Sequence, residues 1–168
     1  STWWDIYGRD SSSSFKNEGF LIVEVICNSF EETKKFASRL SKKFQNGQVI
    51  ALNGDLGSGK TTFSQGIAEG LGIEQHVGSP TFKLVSEYVG EDLKLYHVDC
   101  YRLNNADEFL NLGGENLLLP DNGITLIEWA NIIHELLPQD VIEVVFSRVK
   151  GEPNKRLLKI RGIDKSNE

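Results

Sequence analysis

One glycine-rich segment with a single lysine has the residue types and spacing of a phosphate-binding loop. Residues 54–61 read Gly-Asp-Leu-Gly-Ser-Gly-Lys-Thr, which matches the pattern G-x-x-x-x-G-K-[ST]. Glycines let the backbone approach phosphate oxygens closely, and successive N–H groups turned inward form a nest for an anion. In such a loop, Lys60 would reach the β- and γ-phosphates and Thr61 would place its hydroxyl on Mg²⁺. The segment therefore predicts a nucleotide site.

The sequence on either side of this segment separates two interpretations of it. Asn53-Gly54 alone is a turn signal, so the glycines could belong to a tight hairpin. A hairpin needs a second strand directly after the turn. Residues 48–53 do form an apolar, strand-like run, but residues 62–71 carry apolar side chains at helical spacing. A strand that leads through the loop into a helix favours phosphate binding.

Two acidic residues stand at the ends of later strand-like runs. Asp99 ends the run over residues 93–99, and Glu128 ends the run over residues 124–128. Ligands of open α/β sheets gather at the carboxyl ends of the strands, so both carboxylates could project toward the phosphates. One would hold Mg²⁺ and the other would orient the attacking water. Strand-end acids can also be solvated caps, but the phosphate loop favours the catalytic interpretation.

Four further features keep two interpretations each. The segment 79–82, Ser-Pro-Thr-Phe, could sense a γ-phosphate through a hydroxyl or form a loop set by its proline. His97 and Tyr101 alternate with Asp99 and would share its face, where they could shape a site or pack. Arg102 could stabilise γ-phosphate charge or form a structural salt bridge.

Composition limits the class of protein. A chain of 168 residues with 39% hydrophobic and 25% charged residues suits one globular domain. A net charge of −6 argues against capture of nucleic acid by a basic face, so a partner would hold any RNA. Cys27 and Cys100 do not form a metal-ligand cluster, and free thiols fit a reducing, cytoplasmic location. No apolar run approaches the roughly 20 residues of a membrane span.

Alternating strand and helix patterns predict an α/β fold. We expect a three-layer P-loop NTPase-like domain over residues 19–162, with a mixed sheet that is parallel near the phosphate loop and antiparallel at its hairpins. Residues 1–18 are expected to be a loosely ordered or added arm, and residues 163–168 a charged tail. The predicted strands cover residues 19–27, 48–53, 82–88, 93–99, 124–128, 141–149 and 155–161, and the predicted helices begin near residues 29, 62, 105 and 130.

The motifs, taken in order, resemble those of the TsaE family. The resemblance rests on four blocks and extends from about residue 19 to the closing hairpin. The blocks are Gly54 to Thr62, Ser79-Pro80-Thr81-Phe82 with Leu84, Val85 and Tyr88, Tyr96-His97-Val98-Asp99-Cys100-Tyr101-Arg102-Leu103, and Ile127-Glu128-Trp129. Many families share a phosphate loop, but the later blocks in this order are specific.

The resemblance implies a bacterial ATPase that uses ATP and Mg²⁺. It would be required for threonylcarbamoyladenosine in tRNAs that read ANN codons, and would act with the TsaD and TsaB proteins, TsaD carrying the threonylcarbamoyl transfer. Lys60, Asp99 and Glu128 would be catalytic, and Thr61 and Glu128 would hold the metal. The nucleotide-binding residues would be Asp55, Leu56, Gly57, Ser58, Gly59, Lys60, Thr61, Thr62, Thr81, Asp99, Trp129 beside the nucleotide and Thr33 near the base.

Two other functions use the same phosphate loop. A small-metabolite kinase would need an acceptor pocket and usually several arginines around the transferred phosphate. Residues 62–147 contain a single arginine, Arg102. A binding module could use ATP only to lock a complex together. The acid pair separates this module from an ATPase, because hydrolysis is expected only if Asp99 and Glu128 both lie near the γ-phosphate.

Overall fold

A computed structural model describes residues 12–17, 20–78 and 84–163, which form an α/β domain around a single mixed sheet. Its strands are β1 Ser12–Asn17, β2 Phe20–Cys27, β3 Val49–Asn53, β4 Val85–Val89, β5 Lys94–Asp99, β6 Gly123–Glu128, β7 Ile142–Val149 and β8 Glu152–Ile163. The α-helices are α1 Phe30–Ser41, α2 Lys60–Gly70 and α3 Ala106–Asn111, and two 3₁₀ segments cover Gly114–Leu118 and Ala130–Leu136.

The sheet has eight strands in the order β1-β2-β8-β7-β3-β6-β5-β4. β3 pairs in parallel with both β6 and β7, and β5 pairs in parallel with β6. The outer pairs β1–β2, β2–β8, β7–β8 and β4–β5 are antiparallel. The expected mixed sheet is confirmed, with its parallel strands around the phosphate loop.

Helical segments cover both faces of the central sheet. In β3, Ile50 and Leu52 belong to the core that includes α1 and α2, whereas Val49 and Ala51 belong to a second core with α3 and the 3₁₀ segment Ala130–Leu136. Neighbouring strand residues point to opposite faces, so these two cores lie on either side of the sheet. The predicted three layers follow from that arrangement.

Capping residues explain where two helices begin. The Ser29 hydroxyl accepts the N–H of Glu32 at 3.1 Å, and the Glu32 carboxylate accepts the N–H of Asn28 at 2.7 Å. In α3, the Asn105 side chain accepts the N–H of Glu108 at 3.0 Å. The contacts of Ser29 and Asn105 each satisfy a backbone donor that the first helical turn leaves without an intrahelical acceptor, and that of Glu32 satisfies the N–H of the residue before the cap. Both helix starts were predicted from these residues.

The ends of the sheet differ from the predictions. We placed residues 1–18 outside the fold, but β1 pairs with β2 over Ser12–Asn17. Pairing at a sheet edge uses backbone groups, so a serine-rich segment can join without the apolar pattern that identifies a buried strand. We also placed the last hairpin turn at residues 151–154. It comes earlier, because Gly151 has a φ of +81° and β8 starts at Glu152. The tail residues 164–168 lie outside the described residues.

The described residues also bear on the cysteines, metals and membrane spans. Cys27 and Cys100 are buried free thiols, as predicted. Burial raises the pKa of Cys27, and it raises the pKa of Cys100 to about 12. Within the described ranges, no group of three or more His, Cys, Asp and Glu side chains has the arrangement of a metal site. No helix in the same ranges is long and apolar enough to cross a membrane.

Candidate nucleotide-binding site

The glycine-rich loop joins β3 to α2, as its sequence context predicted. Gly57 and Gly59 have φ values of +73° and +107°, a backbone region that other residues rarely enter. Gly59 is the N-cap of α2, and no side chain in the described part of the chain caps that end. The positive end of the α2 dipole therefore lies at the loop, where it would stabilise an anion.

Lys60 lies at the centre of the site. Its ammonium donates to the carbonyl of Gly54 and, at 3.4 Å, to that of Asp55. The same nitrogen lies 3.7 Å from the centre of the Trp129 ring. Burial lowers the pKa of Lys60, while the negative charges of Glu128, Asp99 and Asp55 raise it. The two predicted acids therefore lie within electrostatic range of the lysine.

Asp99 and Glu128 occupy matching positions at the ends of neighbouring parallel strands. They are register partners in β5 and β6. Glu128 is buried, and one of its carboxylate oxygens lies 2.8 Å from Nε2 of His97. The Asp99 carboxylate accepts the N–H of Tyr101 at 2.9 Å, and burial raises its pKa despite that bond. The two acids therefore have different surroundings, which suits different roles.

The backbone after β6 brings Trp129 over the loop. Trp129 has a φ of +57°, a left-handed conformation that is uncommon for a residue with a large side chain. Its ring centre lies 5.1 Å from that of Tyr101, which is 52% exposed. Asn53, at the end of β3, accepts the N–H of Asn131 at 2.9 Å and ties this turn to the loop. The aromatic pair therefore forms one side of the lysine site.

Two arginines from the β7–β8 hairpin contact the other side of the loop. Arg148 donates to the carbonyl of Leu56 at 2.7 Å. Arg156 donates to the carbonyls of Ser58 and Gly57, each at 3.0 Å. A pocket of about 560 Å³ lies at this hairpin and is lined by residues 148–153 and Arg156. None of the predicted site residues lines that pocket.

The family model for the threonylcarbamoyl adenosine biosynthesis protein TsaE matches residues 27–157, which include the loop, both acids and both hairpin arginines. The chain belongs to the TsaE family. Curated relatives agree with this assignment. The tRNA threonylcarbamoyladenosine biosynthesis protein TsaE of Bacillus subtilis is 45% identical over 118 residues, which are 70% of this chain and 73% of the relative. The protein of the same name from Treponema pallidum is 33% identical over 135 residues, or 80% of this chain and 98% of the relative.

A solved structure supports the fold of this TsaE-family chain. The crystal structure of Bacillus subtilis YdiB superimposes with a TM-score of 0.68 and 33% sequence identity. The match covers 90% of this chain and 92% of the crystallised one. The phosphate-loop fold predicted from the sequence is therefore that of the family.

The predicted site residues differ in where the structure places them. Lys60, Asp99, Glu128 and Trp129 come together, and Thr61 and Thr62 lie in the first turn of α2 beside the loop residues Asp55, Leu56, Gly57, Ser58 and Gly59. Thr33 is buried in α1, where its hydroxyl donates to the carbonyl of Ser29 at 3.3 Å, so its contact with a base stays a prediction. Thr81, with the whole segment 79–82, lies outside the described residues. Arg102 is exposed after β5.

Sequence reasoning missed Arg148 and Arg156. The range in which Arg102 is the single arginine, residues 62–147, ends one position before Arg148. The position of Arg148 near the end of a predicted strand could have indicated a site residue, because ligands bind at the sheet edge where the parallel strands have their carboxyl ends. That signal requires β7 to lie beside β3, and this strand order is known only from the structure.

Proposed function

We propose that this protein binds ATP with Mg²⁺ at the glycine-rich loop and hydrolyses it in the biosynthesis of threonylcarbamoyladenosine in tRNA. The convergence of the Lys60 ammonium with Asp99 and Glu128 carries the proposal. A phosphate loop by itself indicates only phosphate binding. Two carboxylates beside the loop lysine add what hydrolysis requires, namely a metal ligand and a group that orients water.

Lys60 has the contacts of a phosphate-binding residue. Lys60 is 6% exposed, and its ammonium contacts the carbonyls of Gly54 and Asp55 and the Trp129 ring. Backbone carbonyls and a ring face carry only partial negative charge. The β- and γ-phosphates carry full charges, so they would replace these contacts favourably and draw the ammonium into the loop.

Thr61 and Glu128 would hold Mg²⁺, with the phosphates as further ligands. Hydroxyl and carboxylate oxygens are the ligands that Mg²⁺ prefers, and the ion usually takes only one or two carboxylates from a protein. When bound, it would neutralise charge on the β- and γ-phosphates. His97 contacts one oxygen of Glu128 and thereby fixes the orientation of the carboxylate at the site.

Asp99 would orient the attacking water. Its carboxylate is half-buried and is anchored by the N–H of Tyr101, which limits its motion. A raised pKa makes a carboxylate a better proton acceptor, as a group that polarises water must be. Glu128, bound to His97, would remain the metal ligand.

The arrangement favours an ATPase over the two other functions. A kinase needs guanidinium groups around the transferred phosphate, but Arg148 and Arg156 donate to carbonyls of the loop backbone. A module that only binds ATP would not need both acids beside Lys60. Slow turnover by the chain alone is expected, because this site has no evident second substrate.

The TsaD and TsaB proteins are the proposed partners, and tRNAs reading ANN codons the proposed targets. The partners and the tRNA targets are both inferred from the family resemblance. The net charge of −6 agrees with a division of labour in which the complex, rather than this chain, holds the tRNA.

The test is Mg²⁺-dependent ATP hydrolysis by this chain, alone and with purified TsaD and TsaB. Lys60→Ala should abolish activity, whereas Lys159→Ala is the matched control, because Lys159 is exposed on β8. Formation of threonylcarbamoyladenosine on tRNA, measured in the same mixtures, connects turnover to modification. Turnover indifferent to the partners would count against the assigned pathway, and binding without cleavage would favour the module.

A further inference from the structure

Arg156 is a buried arginine whose hydrogen bonds all go to backbone carbonyls and whose guanidinium carbon lies 5.3 Å from the centre of the Phe30 ring. It is 3% exposed and donates through Nε to Ser58 and through Nη2 to Gly57. Its Nη1 donates to the carbonyls of Pro153 at 2.6 Å and Lys155 at 2.8 Å. No carboxylate in the described ranges forms an ion pair with it. Since a buried charge is costly without a strong partner, this arrangement calls for a functional reason.

Arg148 makes the same kind of contact one residue earlier in the loop. Its Nη2 lies 2.7 Å from the carbonyl oxygen of Leu56, although the side chain is exposed. A Cβ atom on Gly57 would lie 2.6 Å from that nitrogen. Gly57 therefore allows the guanidinium to approach, in addition to adopting a positive φ.

Together the two arginines hold three consecutive carbonyls, those of Leu56, Gly57 and Ser58. In a planar trans peptide unit, the C=O of one residue points opposite to the N–H of the next. Fixing these carbonyls toward the hairpin thus directs the N–H groups of Gly57, Ser58 and Gly59 away from it, and the N–H of Ser58 donates to the carbonyl of Asp55 at 3.1 Å within the loop. Those N–H groups belong to the segment expected to surround the phosphates.

We propose that Arg148 and Arg156 are positioning residues for phosphate binding, which preorganise the loop N–H groups by holding the preceding carbonyls from behind. The inference rests on the proposed function and adds two residues outside the phosphate-loop motif to its nucleotide site. Neither guanidinium need touch the nucleotide, so these are not catalytic residues. The closing hairpin thereby becomes part of the binding machinery.

A simpler role for the two arginines would be to supply positive charge near the loop, without any requirement on hydrogen-bond geometry. Lysine preserves charge but not the fork of planar N–H donors that reaches two carbonyls at once. Arg156→Lys therefore separates geometry from charge. Arg148→Ala is the companion variant, since an exposed side chain can be truncated without leaving a cavity. Arg161→Lys is the matched control, because Arg161 is exposed on β8 opposite Glu143.

The experiment measures nucleotide affinity and loop conformation on the same protein samples. Calorimetric titration gives the Kd for ATP and ADP, and steady-state kinetics give kcat and KM. Nuclear magnetic resonance of the nucleotide-free chain gives the amide ¹⁵N shifts of Gly57, Ser58 and Gly59, which respond to hydrogen bonding at the preceding carbonyl. Thermal unfolding reports whether each variant is folded.

Arg148→Ala and Arg156→Lys should each bind ATP and ADP about tenfold more weakly, the scale of a lost hydrogen bond to a charged donor. KM should change more than kcat, and the loop ¹⁵N signals should move, while Arg161→Lys changes neither. Wild-type affinity in a folded Arg148→Ala protein, or unmoved loop signals in both variants, would overturn the positioning role. If the wild-type chain bound no nucleotide, the proposed function would fail and the role in phosphate binding with it, whereas the loop signals would still show whether the two arginines fix the loop conformation.

Discussion

Nε2 of His97 lies 2.8 Å from a carboxylate oxygen of Glu128, and both side chains are buried between β5 and β6. The two residues are separated by 31 positions in the chain and meet only because these strands are neighbours. A carboxylate held in this way keeps one orientation before any ligand arrives, which suits the proposed role of Glu128 as a metal ligand. Stability and activity should therefore both depend on His97.

His97→Phe should destabilise the protein by about 2 kcal/mol, because it leaves a buried carboxylate without its hydrogen-bond partner. His97→Gln retains a hydrogen-bond donor of similar reach and should lose less stability. Urea unfolding followed by circular dichroism measures both. Equal stability of the two variants would mean that the hydrogen bond contributes little.

Tryptophan fluorescence should report nucleotide binding through Trp129. The ring lies over the Lys60 ammonium, which must move toward the phosphates when they bind. The emission of the chain should therefore change on addition of ATP. Trp129→Phe should abolish the change. A variant in which the other two tryptophans of the chain, Trp3 and Trp4, are both replaced by phenylalanine should retain it. A signal that survives in Trp129→Phe would contradict the arrangement.

Lys60→Ala and Glu128→Ala should affect different steps. Loss of the lysine removes phosphate affinity, so Lys60→Ala should show no useful ATP binding by calorimetry. Loss of the metal ligand should reduce Mg²⁺-dependent hydrolysis more than it reduces binding. Glu87→Ala, at an exposed ion pair with Lys94, is the control for removing a glutamate. Equal loss of ATP binding in both site variants would be the contrary result.

We expect Asp99→Asn to lower catalytic activity and to raise stability at neutral pH. Removing a group that orients water should lower kcat by about 100-fold, with little change in ATP affinity. The pKa of Asp99 is raised in the folded protein above its ordinary 3.8, because burial disfavours the charged form. The folded state thus keeps a proton that the unfolded state has released, and stability falls as pH rises through the window between the two pKa values.

Asparagine does not titrate, so Asp99→Asn should be more stable than the wild type at neutral pH. The advantage should disappear below the ordinary pKa of aspartate, where both states of the wild type are protonated. Urea unfolding of the two proteins across the acid range measures the difference. A stability difference independent of pH would show that burial of the charge is not its cause.

Neither cysteine should react with a thiol reagent in the native protein. Cys27 and Cys100 are buried and their pKa values are raised, that of Cys100 to about 12, so at mildly alkaline pH little thiolate is present. Both should react fully in denaturant. Rapid labelling of the folded chain with Ellman's reagent would contradict this placement.

Short-range signals predicted much of the element order. Ser29 with Glu32 and Asn105 with Glu108 located two helix starts, because a cap is made by residues three positions apart. The spacing of the glycines and Lys60 located the loop in the same way, because these residues are close together in the chain. The edge strand β1 and the start of β8 were not predicted, although each pairs with the adjacent strand of the chain, because their polar residues lack the apolar alternation that marks a half-buried strand.

The sequence by itself determined the chemistry of the loop and the two strand-end acids, since glycine, lysine and carboxylate act through their own types and short spacing. Tertiary structure alone decided which groups surround them. Arg148 is 92 residues from the carbonyl that it contacts, and Arg156 is 98 residues from that of Ser58. Contacts of this range depend on strand order, which places β7 beside β3 and the hairpin behind the loop. No local pattern encodes that order, because it results from packing of the whole sheet against its helices.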